Sequence, residues 1–196
     1  MKRIVHLAVY NTLADWETGY ATAHVRGEHY DIVTVAETTD PVTTMGGTRI
    51  LPDITLDQLS PADSAMLILP GADLWDEGGN GAFAKKAAEF LAAGVPVAAI
   101  CGAVPGLARE GLLDDRDHTS AFPGYVQVDG YNGADHYVEA DAVTDGDLIT
   151  AGPTEPVAFA REVLARLDVF PPHKLDAWFR LFKHSDASAI EVLMAP

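Results

Sequence analysis

The chain has 196 residues, enough for one domain with a full core and short for two. Its 29 acidic and 13 basic residues give a net charge of -16, a field that repels nucleic acid and anionic membrane surfaces, and no Lys/Arg cluster offsets it locally. A single cysteine excludes an intramolecular disulfide and any multi-cysteine metal site, and no stretch approaches the roughly 18 apolar residues of a membrane span.

Taken in chain order, the N-terminus opens with two basic residues before an apolar run, as a secretion signal does. The run is only about seven residues long and no small-residue cleavage site follows it, so it reads as a first buried strand and the expected compartment is the cytoplasm. That strand covers 4–10 (IVHLAVY), followed by a helix over about 15–25 and a second strand at 30–36 (YDIVTVA). Residues 41–51, rich in Thr and Gly, suit a short hairpin, and 53–59 a single helical turn. A third strand, 65–69 (AMLIL), ends at Pro70-Gly71; the loop DEGGNG then leads to a helix over 82–93. Another apolar strand, 95–100 (VPVAAI), runs directly into Cys101, with a short helix over 105–111 beyond it. Strands are expected at 118–121 and within 137–151, the latter folded at Asp145-Gly146, before a helix over 156–167 with Pro at its first position. Pro171-Pro172 interrupts, and 175–183 (LDAWFRLFK) is an amphipathic helix within a C-terminal helical extension over about 173–196. Alternating strands and helices with continuously apolar strands predict a single α/β domain over 1–196, its mostly parallel sheet covered on both faces.

Ile100-Cys101-Gly102-Ala103 places a thiol where a buried strand turns into a helix, the setting of a nucleophile elbow. Helix N–H groups there favour the thiolate and predict a lowered thiol pKa. Taken alone, Cys101 also reads as a small buried hydrophobe. In open parallel sheets, ligands bind beyond the carboxyl ends of the strands, and two other such ends carry relevant residues. Glu17, after strand one, is either a proton-carrying partner for the thiol or a first-turn acid that complements a helix dipole. Gly71 and Ala72 offer backbone N–H groups to an oxyanion, or form a plain turn after Pro70.

Together Ile100-Cys101-Gly102-Ala103, Leu69-Pro70-Gly71 and Trp16-Glu17-Thr18 resemble the ThiJ/PfpI family of the class I glutamine-amidotransferase-like superfamily, with similarity running from about Ile4 to Leu167. The resemblance implies a flavodoxin-like three-layer sandwich, Cys101 as the reactive cysteine, Glu17 as the nearby acid, Gly71 and Ala72 as the oxyanion-hole turn, and a homodimer; the N–H of Gly102, next to the cysteine, is expected to join them as an oxyanion donor. Two departures bear on activity. Family members proposed to be proteases carry His directly after the nucleophile, where this chain has Gly102, and the His-Pro-Glu segment of true amidotransferases is absent. The resemblance therefore implies neither peptidase nor glutaminase. It points to a cofactor-independent hydrolase or lyase acting on a small electrophile (2-oxoaldehyde, nitrile or isocyanide), or to a non-enzymatic oxidative-stress sensor using the same cysteine.

Among the histidines, His136 falls where relatives place a polar residue near the active site, and is a candidate to face Cys101. His118 is expected to start a strand. No His/Asp/Glu set has metal-ligand spacing, so neither a metal nor a cofactor is expected. DEGGNG lacks the Lys-Ser/Thr of a phosphate loop and is expected at the pocket rim. Trp178, Phe179 and Phe182 are expected to pack in the core or at a dimer interface.

Overall fold

The computed structural model describes residues 2–195. The chain begins with β1 (Arg3–Ala8), α1 (Gly19–Val25) and β2 (Tyr30–Ala36). Three two-residue strands follow, β3 (Val42–Thr43), β4 (Arg49–Ile50) and β5 (Ile54–Thr55), and then β6 (Met66–Leu69). Next come α2 (Asp73–Asp76), α3 (Gly81–Ala92), β7 (Val97–Ile100) and α4 (Ala103–Arg109). The hairpin β8 (Ala142–Asp145) and β9 (Leu148–Ala151) precedes α5 (Pro156–Arg166), α6 (Pro172–His184) and α7 (Ala189–Met194).

The sheet has seven strands in the order β5-β2-β1-β6-β7-β9-β8, parallel throughout except that β8 runs antiparallel to β9. Every residue of β6 (MLIL) and β7 (VAAI) is buried, as central strands covered on both faces require. Each large aliphatic side chain so buried contributes about 1.5–3 kcal/mol. On one face α5 packs over β7, β8 and β9 and touches α1 and α6; on the other α3 covers β6 and β7 beside α4. α3 buries Phe83, Ala84, Ala87 and Phe90 at helical spacing, while Lys85 and Glu89 face outward. The C-terminal aromatics split: Trp178 is buried against Tyr20 and His24, whereas Phe182, in the same cluster, is 37% exposed.

Several expected boundaries move. The first helix starts at Gly19, not near Asp15, because residues 12–17 are tied to other segments. β3 and β4 form the expected hairpin, while 53–59 divides into β5 and a 3-10 turn. No strand forms at 118–121, where a single bridge joins His118 to Tyr137 and Thr119 N–H turns instead to the Thr150 hydroxyl. Pro172 opens α6 where the prolines were expected only to interrupt, since its missing N–H costs nothing at the first helical turn.

Candidate active site

Parallel strands bring the ends of β1, β6 and β7 to one edge of the sheet, and Cys101 is the residue after β7. Its N–H donates to the Ala151 carbonyl at 3.0 Å, extending the ladder with β9, while its own carbonyl accepts from Val104 N–H at 3.0 Å and opens α4. Serving both elements requires a reversal within one residue, and Cys101 adopts φ +60° to make it. That left-handed conformation costs about 1–2 kcal/mol for a residue with a Cβ.

Residues 10–17 carry the chain from β1 across the ends of the neighbouring strands. Ala14 N–H donates to the Gly71 carbonyl at 3.0 Å in an antiparallel bridge of Leu13 with Ala72. Three successive side chains then anchor three different segments. The Asp15 carboxylate accepts from Thr44 Oγ1 and Gly46 N–H, both at 2.6 Å, holding down the β3–β4 hairpin. Trp16 Nε1 donates to the Pro153 carbonyl at 3.0 Å, beyond β9. Glu17 turns inward, fully buried, and its Oε2 accepts from Gly71 N–H at 2.5 Å. Behind this turn the buried Tyr10 hydroxyl donates to the Pro70 carbonyl and accepts from Trp75 Nε1 at 2.9 Å.

Glu17 and Cys101 meet across Gly71. A Cβ there would lie 2.7 Å from Cys101 Cβ, 2.8 Å from Glu17 Oε1 and 2.9 Å from Cys101 Sγ, so only glycine leaves the two groups in contact range. Oε1 has no hydrogen-bond partner among the described residues, and it is the carboxyl oxygen on the thiol's side of Gly71. Burial raises Glu17 to about 7, against the opposing pull of Gly71 N–H and the thiol. Burial and the charge of Glu17 likewise push the Cys101 thiol up to about 12, with Asp76 adding to the effect and Gly102 N–H opposing it. This corrects the expectation of a lowered thiol pKa: a short turn's N–H groups do not outweigh desolvation beside a carboxylate. Two negative charges are not accommodated together here, so the pair retains at least one proton at neutral pH, and a thiolate forms when that proton sits on Glu17.

Two further expectations are corrected. Gly71 N–H is committed to Glu17, which removes it from the oxyanion donors; Ala72 N–H and Gly102 N–H have no acceptor among the described residues, and Gly102 N–H favours the thiolate form of the sulfur beside it. His136 does not face Cys101. Its ring binds Asp117 at 3.1 Å, and Asp117 N–H binds Asp145 at the β8–β9 turn, the opposite end of the ladder from Ala151. His118 is wholly buried between the Arg116 carbonyl and the Tyr131 hydroxyl.

Asp76 and Tyr125 belong to the site as well. Asp76, the last residue of α2, begins DEGGNG and accepts from Tyr125 Oη at 2.9 Å; both act electrostatically with Cys101. The loop's position beside the thiol was the available signal for Asp76, whereas nothing local marks Tyr125, which arrives from 24 residues beyond Cys101 in the chain. Gly79 and Asn80 of that loop instead line a 410 Å³ cleft at the ends of β1 and β2. A 780 Å³ cleft lies at the amino edge, lined by Lys2, Arg3 and Arg166, so neither large cleft contains the thiol. Among the described residues no cluster of three His, Cys, Asp or Glu could hold a metal ion, and no helix is long and apolar enough to cross a membrane.

A parallel α/β sandwich of flavodoxin-like type, with a cysteine and a buried acid at its carboxyl edge, is the class these features define. Residues 2–166 match the DJ-1/PfpI family. "Uncharacterized protease YoaZ" of Bacillus subtilis (strain 168) is 40% identical over 191 residues, covering 92% of this chain and 91% of that protein. The crystal structure of the thiJ/pfpI family protein from Bacillus anthracis superimposes with a TM-score of 0.93 at 36% identity, covering 99% of this chain and 96% of that one. DJ-1 superfamily protein Atu0886 from Agrobacterium tumefaciens follows at 0.87 and 32%, covering 93% and 98%. The chain belongs to the DJ-1/PfpI family.

Proposed function

We propose that this protein is a cofactor-independent, cysteine-dependent hydrolase or lyase acting on a small electrophile such as a 2-oxoaldehyde, nitrile or isocyanide. The observation that carries the reading is the Cys101–Glu17 pair in contact range across Gly71, at a strand end where ligands approach. With a 2-oxoaldehyde, the Cys101 proton passes to Glu17 as sulfur bonds to the aldehyde carbon, and the carbonyl electron pair moves to oxygen. Ala72 N–H is a free donor for that oxygen, and Glu17 returns the proton to give a hemithioacetal. Glu17 then takes the proton from the former aldehyde carbon, the electron pair reduces the adjacent ketone through an enediol, and a 2-hydroxy thioester remains. Water cleaves the thioester, releasing a 2-hydroxy acid and restoring the thiol. The first carbon is oxidised as the second is reduced, so no external redox partner enters.

Although relatives are named proteases, a peptide cleaved at a cysteine needs a general acid, ordinarily the histidine paired with the thiol, to protonate its leaving amine. Gly102 follows the cysteine here, and the histidine candidate His136 is tied to Asp117 at the other end of the ladder. The test is turnover of methylglyoxal, a nitrile and an isocyanide by wild type, Cys101→Ser and Glu17→Gln. Conversion of at least one substrate, falling about 100-fold or more in each variant, is expected. Turnover surviving Cys101→Ser overturns the reading. Stoichiometric oxidation of Cys101 by peroxide, with no turnover of any substrate, favours an oxidation sensor in its place.

A further inference from the structure

The thiol is flanked by two carboxyl groups, and only Glu17 has a role in the chemistry above. α2 packs directly on the turn at Cys101: a Cβ on Gly102 would lie 3.2 Å from Trp75 Cβ and 3.3 Å from the Ala72 carbonyl. Asp76, the next residue along α2, is held by the Tyr125 hydroxyl at 2.9 Å. Asp76 forms no ion pair among the described residues. Arg109 also reaches α2, but its guanidinium donates to the Trp75 carbonyl at 3.2 Å. Both side chains that act on the thiol, Glu17 and Asp76, are acidic, and Glu17 holds the shared proton when the thiolate forms, which leaves Asp76 to act on an incoming anion.

We propose that Asp76, held by Tyr125, is a specificity-determining residue through which the Cys101 site selects neutral electrophiles over anionic ones. The proposal rests on the reading that Cys101 reacts in the folded protein, and it adds that substrates bearing a carboxylate or phosphate are excluded by local charge. One carboxylate several ångströms from a reacting anion disfavours it by a factor of about two to three in a water-like dielectric, and more where water is partly excluded.

Iodoacetamide and iodoacetate test this, because they share a leaving group and differ in charge. The ratio of their second-order rate constants at Cys101 cancels the fraction of thiolate. At low salt the wild-type ratio should exceed that of 2-mercaptoethanol by about tenfold, and Asp76→Asn should narrow it by about threefold to fivefold. Asp168→Asn removes an equal charge at the amino edge of the sheet and should leave the ratio unchanged. Should Asp76→Asn fail to fold, salt titration of the wild type decides: the ratio must fall as salt rises. A wild-type ratio equal to that of 2-mercaptoethanol, an unaltered ratio in Asp76→Asn, or a salt-independent ratio overturns the charge filter and leaves the reactive cysteine standing. No alkylation by either reagent short of unfolding overturns both.

Discussion

Cys101 and Glu17 behave as one titrating unit, because the space beside Gly71 holds a sulfur and a carboxyl but not two charges. The stability consequence has a definite sign. Glu17 is raised from 4.5 to about 7, so the folded chain binds this proton more tightly than the unfolded chain does. Its contribution is therefore intact below about pH 4.5 and is lost as pH rises through 7, a change of about 3 kcal/mol. Glu17→Gln keeps an oxygen for Gly71 N–H and removes the titration. In urea unfolding the variant should gain about 1–3 kcal/mol over wild type near pH 8 and no such advantage near pH 5. An equal difference at the two pH values would show that Glu17 titrates in the folded chain as it does when unfolded.

Among the elements, α2 and α4 fix the turn that carries the thiol, and their contact depends on Gly106. A Cβ there would lie 2.3 Å from Trp75 Cζ3 and 2.4 Å from Cε3, inside the ring. Trp75 has little room to yield, being 1% exposed with its indole N–H bonded to the Tyr10 hydroxyl and the Pro70 carbonyl. Gly106→Ala should therefore destabilise by about 1–3 kcal/mol in thermal or urea unfolding, despite replacing a helical glycine with the best helix former. A stabilised variant would mean that helix propensity outweighs the clash. Residues 12–17 work in the complementary way. Asp15, Trp16 and Glu17 bind the hairpin, the loop after β9 and the β6 turn, and this triple commitment keeps the segment out of α1.

Over the whole molecule, the site sits where the strand order reverses: β1 leads outward to β2, and the chain returns on the other side of β1 to build β6 and β7. This is the crevice of an open α/β sheet in which ligands bind. Around it lies a net charge of -16, which opposes compaction by self-repulsion. Raising NaCl from about 20 to about 200 mM shortens the screening length from about 20 to about 7 Å and should raise the thermal midpoint by a few degrees. A midpoint that falls across this range would show that the surface ion pairs outweigh the net repulsion.

The sequence by itself determined β6 and β7, because a strand buried on both faces must be continuously apolar and this shows within a few residues, and it marked β1 and the half-buried β2 by their runs of β-branched and apolar residues. It also determined that Cys101 ends a buried strand beside a turn of small residues, and the motifs around Glu17 and Gly71 carried the family resemblance. Tertiary structure alone decided how those groups are used. The left-handed turn at Cys101 arises from pairing with β9, a partner some 50 residues further along the chain. Glu17 takes Gly71 N–H and its own proton only because it is sealed from water, and His136 is drawn to Asp117 and the β8–β9 turn. Asp76 becomes part of the site through Tyr125. Hydrophobic pattern is a property of neighbours in the chain, whereas proton affinity and hydrogen-bond partnership depend on groups that only folding brings together.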